Sequence, residues 1–556
     1  MIVTMKKIGV WLCMAVMLLA ASCSENSKMR NVLEGVPADA DVVAVVNLRE
    51  VLESAGGSVD GNSVKFPSFI MDELSERDAE DLDEIKDFLL KSGLDPEVCA
   101  FVADYEKQYP VTVFSLKDKK QFVKKIEDMG YREKSSNGSG VIYSKKVYEG
   151  HTSDYDDYGY IAVADDYVYR IDRVWVGSSF KPVQYLSRMM GNASEDNFAS
   201  TIYCDYLMEG NVGGLYAKFP KDVKRELRKS GAPSDLLAFC DGAVCLRGSL
   251  DVNKLVMDAM CFDADGKELD MSKLNEYINT SATISEDALS YLGRNDCVVY
   301  AVSLKDFAWD KYADMLAEIG NFSRTDRAEL SVVVDYLRKI DGTIAMGFGL
   351  TNGLESIGKI SSSNGNDILD QVSVTLVVET KDGKAKQVTD DLKALLDEVN
   401  IPTDKSEDGF TVDLGRIGFN GTIELRHKGN YVVIANHQVK QGSCNALVKN
   451  AGLEKNIGAL FLGLDRDNKL MRDLNVKYDA KLKMSCEPGK LHLKVEFVLD
   501  GDDSIGLIAK IAKAVIGVKN NAAEIKEIMG VTRTSYNYDI EDNAEEIVEV
   551  EIDEYE

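Results

Sequence analysis

Between residues 37 and 500, short runs of alternating apolar and polar residues are interleaved with stretches in which apolar residues recur every three or four positions. Alternation puts every second side chain on one face of a strand, whereas the longer spacing lines one face of a helix. "DVVAVVNL" (41–48) predicts a strand that leads into the helix "REVLESAG". In "EDLDEIKDFLL", Leu82, Ile85 and Leu89 share a helix face. "YPVTVFSL" (109–116) predicts a strand, and "KKQFVKKIEDM" (119–129) a helix with Phe122, Ile126 and Met129 inward. "GYIAVADDYVYRI" (159–171) predicts a hairpin that turns at Asp165 and Asp166.

The order then repeats. "ADVVAVVNL" at Ala40 matches "DCVVYAVSL" at Asp296, and "VTVFSLKD" at Val111 matches "TLVVETKD" at Thr375. "DDYVYRI" at Asp165 matches "GNYVVIA" at Gly429, and "NVGGLYAKF" at Asn211 matches "NIGALFLGL" at Asn456. Last, "NKLVMDAMCF" at Asn253 matches "GKLHLKVEFV" at Gly489. Five matches in one order predict a tandem duplication. The expected fold is α+β: two tandem homologous halves, 37–270 and 293–500, each a mainly antiparallel sheet with helices packed on one face. Residues 271–292 would connect them. Residues 501–530 read as a helical segment with Ser504 as N-cap, and 531–556 as an acidic tail.

The beginning of the chain carries a different pattern. Lys6 and Lys7 precede an uncharged apolar run from Ile8 to Ala21, with Met5 as the expected start. At about 1.5 Å per residue the run is too short to cross a hydrocarbon core of about 30 Å, so 1–22 reads as a signal peptide. "LAASC" resembles a bacterial lipobox, which makes Cys23 the expected lipidation site and 23–36 a tether. No second apolar run of spanning length follows. The expected location is therefore the outer membrane, anchored by lipid, on its periplasmic or cell-surface side. "VPADADVVAVVNLREVLESAG" (36–56), soon after that motif, resembles the opening of a family of Bacteroidetes lipoproteins classed as a domain of unknown function. The resemblance implies an anchor and carries no catalytic residue.

Charge and chemistry narrow the partners. The formal net charge is −28, and −30 once Lys6 and Lys7 leave with the signal (−28 − 2), a surface that repels phosphate backbones and excludes nucleic acid. The eight cysteines after Cys23 lack metal-finger spacing. They are expected as buried thiols, with Cys240, Cys245 and Cys261 as the disulfide candidates. "GLESIGKI" (353–360) nearly matches a phosphate-binding loop, but Ile360 stands where Ser or Thr would hold Mg²⁺, and the segment reads as a plain loop. "DYDDYG" (154–159) falls short of a calcium loop because Tyr158 takes a ligand position. The four histidines form no zinc motif. No catalytic residue, metal site or cofactor is therefore assigned. The candidate ligand-facing positions are Asp154, Tyr155, Asp156, Tyr158 and Tyr160, since tyrosine suits sugar faces and protein partners alike. The expected role is binding or envelope assembly, tethered to the membrane, with an envelope protein or glycan as partner. The alternative is a hydrolase of envelope or dietary polymers with its site between the halves.

Overall fold

A computed structural model describes residues 26–529 apart from 61–62, 67–70, 72–85, 87, 89, 106, 149–155, 176, 230–236, 238–239, 270–277, 321, 363–366 and 491. Cys23, Asp154, Tyr155, most of the helix expected around Leu82–Leu89 and the acidic tail lie outside these residues. The fold is α+β. Its first strands are β1 (Val42–Asn47), β4 (Leu94–Asp104), β5 (Lys107–Leu116), β6 (Arg132–Asn137), β7 (Gly140–Tyr148), β8 (Asp157–Val163), β9 (Tyr167–Trp175), β10 (Gly213–Lys218), β11 (Ala243–Leu250) and β12 (Lys254–Phe262). A small hairpin, β2 (Ser58–Asp60) and β3 (Ser63–Lys65), stands apart. The second set is β13 (Val298–Ser303), β14 (Ile340–Leu350), β15 (Val372–Thr380), β16 (Thr403–Ser406), β17 (Gly409–Asp413), β18 (Thr422–Lys428), β19 (Tyr431–Ala435), β20 (Gly458–Leu464), β21 (Asp479–Cys486) and β22 (His492–Asp500).

The twenty strands outside the hairpin form one antiparallel sheet. From the middle outward, the first set pairs in the order β12, β11, β10, β1, β4, β5, β9, β8, β7, β6. The second runs β22, β21, β20, β13, β14, β15, β19, β18, β17, β16, which is the same order. Val42 faces Ala217 as Val298 faces Leu462, and Thr112 faces Arg170 as Leu376 faces Ile434. The two sets join through β12 and β22, where Asp258 stands opposite Lys494.

The helices named below are α1 (Asn26–Glu34), α2 (Leu48–Ser54), α3 (Lys119–Asp128), α4 (Pro182–Glu195), α5 (Ile202–Met208), α6 (Lys221–Lys229), α7 (Leu354–Ser362), α8 (Ala385–Glu398) and α9 (Leu507–Asn520). Helices pack on both faces of the sheet, not on one as the sequence suggests. On one face, α1, α4 and α5 cover Val43, Val45, Ala100, Val113 and Tyr169, forming the larger core. On the other, α3 buries Phe122 and Ile126 against Ile161, Val163 and Val168, and α8 places Leu392 and Leu396 on Phe410 and Leu425. Helix α3 starts where the Asp118 carboxylate accepts from Gln121 N–H, and Met129, expected inward, is exposed at its end.

Three local expectations change. Residues 354–362 form α7, not a loop: Gly353 takes a left-handed conformation and Asp473 accepts from Leu354 N–H at 3.0 Å, so a carboxylate already occupies the helix start. The last long helix begins at Leu507 after Gly506, because Ser504 lies too far back to cap it. All eight described cysteines are free. Cys245 faces Met260 and Cys261 faces Val244, so alternation turns the two thiols to opposite faces and out of bonding reach.

Where the two strand sets meet, Glu496 of β22 takes Lys254 of β12 at 2.5 Å and Lys483 of β21 at 2.7 Å. Burial pushes this carboxylate up, but hydrogen bonds from the two lysines outweigh it and hold it at about 2, below its ordinary 4.5. Its contribution is present above pH 4.5 and is lost as the pH falls towards 2. Glu496→Gln should therefore cost roughly 1–3 kcal/mol at pH 7 and almost nothing at pH 2, read from urea denaturation at both pH values.

Candidate functional site

Register and alternation give each face of the joint sheet a definite composition. On one face of the ten central strands, successive rows hold Phe101, Ala44, Leu215, Leu246 and Ala259 from the first set. The rows continue through Leu493, Cys486, Met484, Leu460, Tyr300 and Met346. At every position of this face that is paired with a neighbouring strand of the ten, the residue is apolar, glycine or cysteine except for the hydroxyl of Tyr300.

Among the described residues, coverage of that face is incomplete. Helix α3 covers it over β5 and β9, and α8 covers it over β17 and β18. Near the junction, α9 and α2 bury Leu250, Leu499 and neighbouring Leu255 and Phe497. Between these helices the strip is open: Leu215 is 38% exposed, Tyr300 49%, Phe348 39%, Leu460 37% and Leu493 43%. Ten strands at about 4.8 Å spacing make it roughly 43 Å long. Exposed apolar surface of that extent on neighbouring strands marks a contact surface.

The opposite face at the junction is polar and internally paired. Arg247 reaches Asp258 at 2.9 Å and lies 4.5 Å over the Tyr206 ring, whose hydroxyl donates to the Asp258 carbonyl at 2.9 Å. His492 Nε2 stands against the same carboxylate. A junction with charges on one face and only apolar side chains on the other puts the strip, not the charges, forward as the surface that needs a partner.

A second polar cluster joins the three residue types of a hydrolytic triad in an order that does not serve catalysis. Ser373 Oγ donates to Asp296 Oδ1 at 2.7 Å and lies 3.3 Å from His437 Nδ1. Nucleophilic activation needs histidine between serine and carboxylate. Here the serine is central and buried, and Asp296 also accepts from Gly293 N–H at 2.7 Å, so the cluster fastens the loop before β13 to β15.

The tyrosine-rich segment falls on β8, an interior strand between β7 and β9. Asp156 is buried and pairs with Lys146 at 2.7 Å, and neighbouring Asp157 pairs with Arg173. Tyr160 is half-buried against the first core, which pushes its hydroxyl up, and Tyr158 is also half-buried. These side chains are separated from the open strip by strand order, since β8 lies three strands beyond β4. Among the described residues no group of three or more His, Cys, Asp or Glu is gathered to hold a metal ion. No described helix is long and apolar enough to cross a membrane.

No family model matches the chain, and neither does any curated protein. Among solved structures, crystal forms III and I of TP0453 are similar to it at 14% and 15% identity. The matches cover 44% and 41% of this chain and 84% and 78% of theirs, with TM-scores of 0.24 and 0.23, too low to bear on fold or function.

Proposed function

We propose that this chain is a lipid-anchored protein of the bacterial cell envelope that holds the hydrocarbon chains of a lipid on the apolar strip of its joint sheet. The observation that carries the reading is the composition of that strip: the paired positions of ten adjacent strands contribute apolar side chains, glycines and a few cysteines, with the hydroxyl of Tyr300 as the one oxygen. A glycan or a polar protein surface laid there would leave its hydrogen-bonding groups unpaired, at a cost of a few kcal/mol each. A hydrocarbon chain loses nothing and gains about 0.8 kcal/mol per buried methylene. The strip exceeds the roughly 15 Å of one leaflet's hydrocarbon, so whole acyl chains fit along it. The lipobox-like segment ending at Cys23 supports a tether at the outer membrane, beside such lipids. The common pairing order of the two strand sets supports an origin by duplication, with the strip formed where the copies join.

The test is titration of the full chain with a fluorescent polyene fatty acid, whose emission rises on leaving water. Saturable binding is expected in the parent. The double variant Leu460→Lys, Leu493→Lys alters two exposed positions and should bind at least tenfold more weakly while keeping the parental circular dichroism spectrum. No binding by the parent, or equal binding by a folded double variant, would overturn the proposal.

A further inference from the structure

Away from the strip, a cavity of 560 Å³ lies between α6 and the start of β11. Its lining includes Tyr203, Tyr216 and Phe219, with Lys218, Lys221, Lys224, Arg225 and Arg228. Tyr203 and Tyr216 have ring centroids 4.7 Å apart and back onto Phe198 and Phe262, so the aromatic wall is held by the first core. Gly242 completes the floor, where a β-carbon would collide with the Phe262 carbonyl.

The basic residues follow a helical rule. Lys221, Lys224, Arg225 and Arg228 fall at i, i+3, i+4 and i+7, the positions that share one helix face. In most surface helices that face is apolar and buried. In α6 it is cationic, lines the cavity, and no residue of the helix is buried. Asp241 is the single acidic residue of the lining and pairs with Lys224. Lys218 donates to the Asp39 carbonyl at 2.7 Å, and Arg225 pairs with Asp222 at 2.9 Å. Lys221 and Arg228 have no ion-pair partner among the described residues. This cationic concentration stands out on a chain of net charge −28.

We infer that the cavity binds a single sugar unit carrying a phosphate or a carboxylate. Its volume falls in the range that takes small ligands. The half-buried rings of Tyr203 and Phe219, with buried Tyr216 behind Tyr203, suit the C–H faces of a pyranose, and Lys221 and Arg228 supply charge for the anionic group. A polyanion such as nucleic acid would meet the acidic remainder of the surface, whereas a compact anion need not.

Calorimetric titration of the full chain with glucose 1-phosphate, galacturonate, glucose and inorganic phosphate tests this. Binding of glucose 1-phosphate or galacturonate is expected, with glucose and inorganic phosphate each at least tenfold weaker; which of the two anionic sugars binds more tightly distinguishes phosphorylated from acidic sugars as the source. Lys221→Ser with Arg228→Ser should weaken the preferred sugar at least tenfold while fatty-acid binding is unchanged, because both residues are exposed on α6 and neither belongs to a strand of the strip. Equal binding of glucose or of inorganic phosphate, no effect of the double variant, or no binding of either anionic sugar would overturn the inference.

Discussion

Replacing Lys510 with alanine is expected to lower the unfolding free energy by roughly 2–4 kcal/mol. This lysine of α9 is 0% exposed. Its ammonium donates to the Asn253 side chain in the β11–β12 turn, stands 3.7 Å from Asp503, and lies 6.0 Å over the Tyr478 ring. Asn253 in turn donates to Asp500 at 3.3 Å, and its carbonyl accepts from Leu499 N–H at 3.0 Å. One buried cation thus ties α9 to the β11–β12 turn of the first strand set and to the segment that follows β22. Removing it leaves the Asn253 side-chain oxygen without its donor, takes a nearby positive charge from Asp503 and opens a void, although Lys513 remains 3.8 Å from Asp503. Lys510→Met fills the void and should lose less than the alanine variant. Urea denaturation of the full chain measures both, and a loss under 1 kcal/mol for Lys510→Ala would rule out this fastening role.

The second large effect concerns Glu50, in the first turn of α2. Its side chain is buried, and its carboxylate has no hydrogen-bond or ion-pair partner among the described residues. Burial, and then the charge of Glu53, push it up to about 7, against a smaller opposing pull from Arg49. The folded chain therefore keeps this proton where the unfolded chain, with a value near 4.5, has lost it. Stability contributed by the protonated form is complete below pH 4.5 and falls away as the pH rises through 7. Glu50→Gln removes the dependence, so it should match the parent at pH 4 and exceed it by roughly 1–3 kcal/mol at pH 8. Equal stability of parent and variant at pH 8 would show that the carboxylate finds solvent.

Local elements were largely legible because their causes are local. The alternation in "GKLHLKVEFV" marks a strand with one apolar face and the unbroken apolar run in "DVVAVVNL" a strand with two, and Asp118 starts α3 through a bond three residues away. Where the structure departs from the local pattern, the cause is distant in sequence. At 353–360 the phosphate-loop comparison drew attention to Ile360, whereas the helix start is set by Asp473, more than a hundred residues on. Tyr158 and Tyr160 are half-buried, a property set by the flanking strands β7 and β9, and Lys146 and Arg173 neutralise the neighbouring carboxylates.

The candidate surfaces were hidden for the same reason. The strip is built from rows such as Leu215, Leu246, Ala259 and Leu493, residues of four strands scattered over nearly 280 positions. Each looks like ordinary core in its own segment. The basic spacing of α6 could have been noticed, since "KDVKRELRK" has helical periodicity with the wrong chemistry, but not the aromatic wall it faces.

The sequence by itself determined that most strands have a wet and a dry face, that the pattern occurs twice, and that the chain is acidic with a lipobox-like cysteine near its start. Alternation and periodicity are properties of neighbours along the chain, and they survive without any knowledge of contacts. Only the tertiary structure decided which dry faces are covered. Helices α3 and α8 cover the two ends of the apolar face and α9 with α2 covers one edge of it at the junction, because each is fixed to its own local core, and the rows between them stay exposed. The open strip between them follows from how far those helices extend and from the pairing of β12 with β22, neither of which is encoded in any single segment.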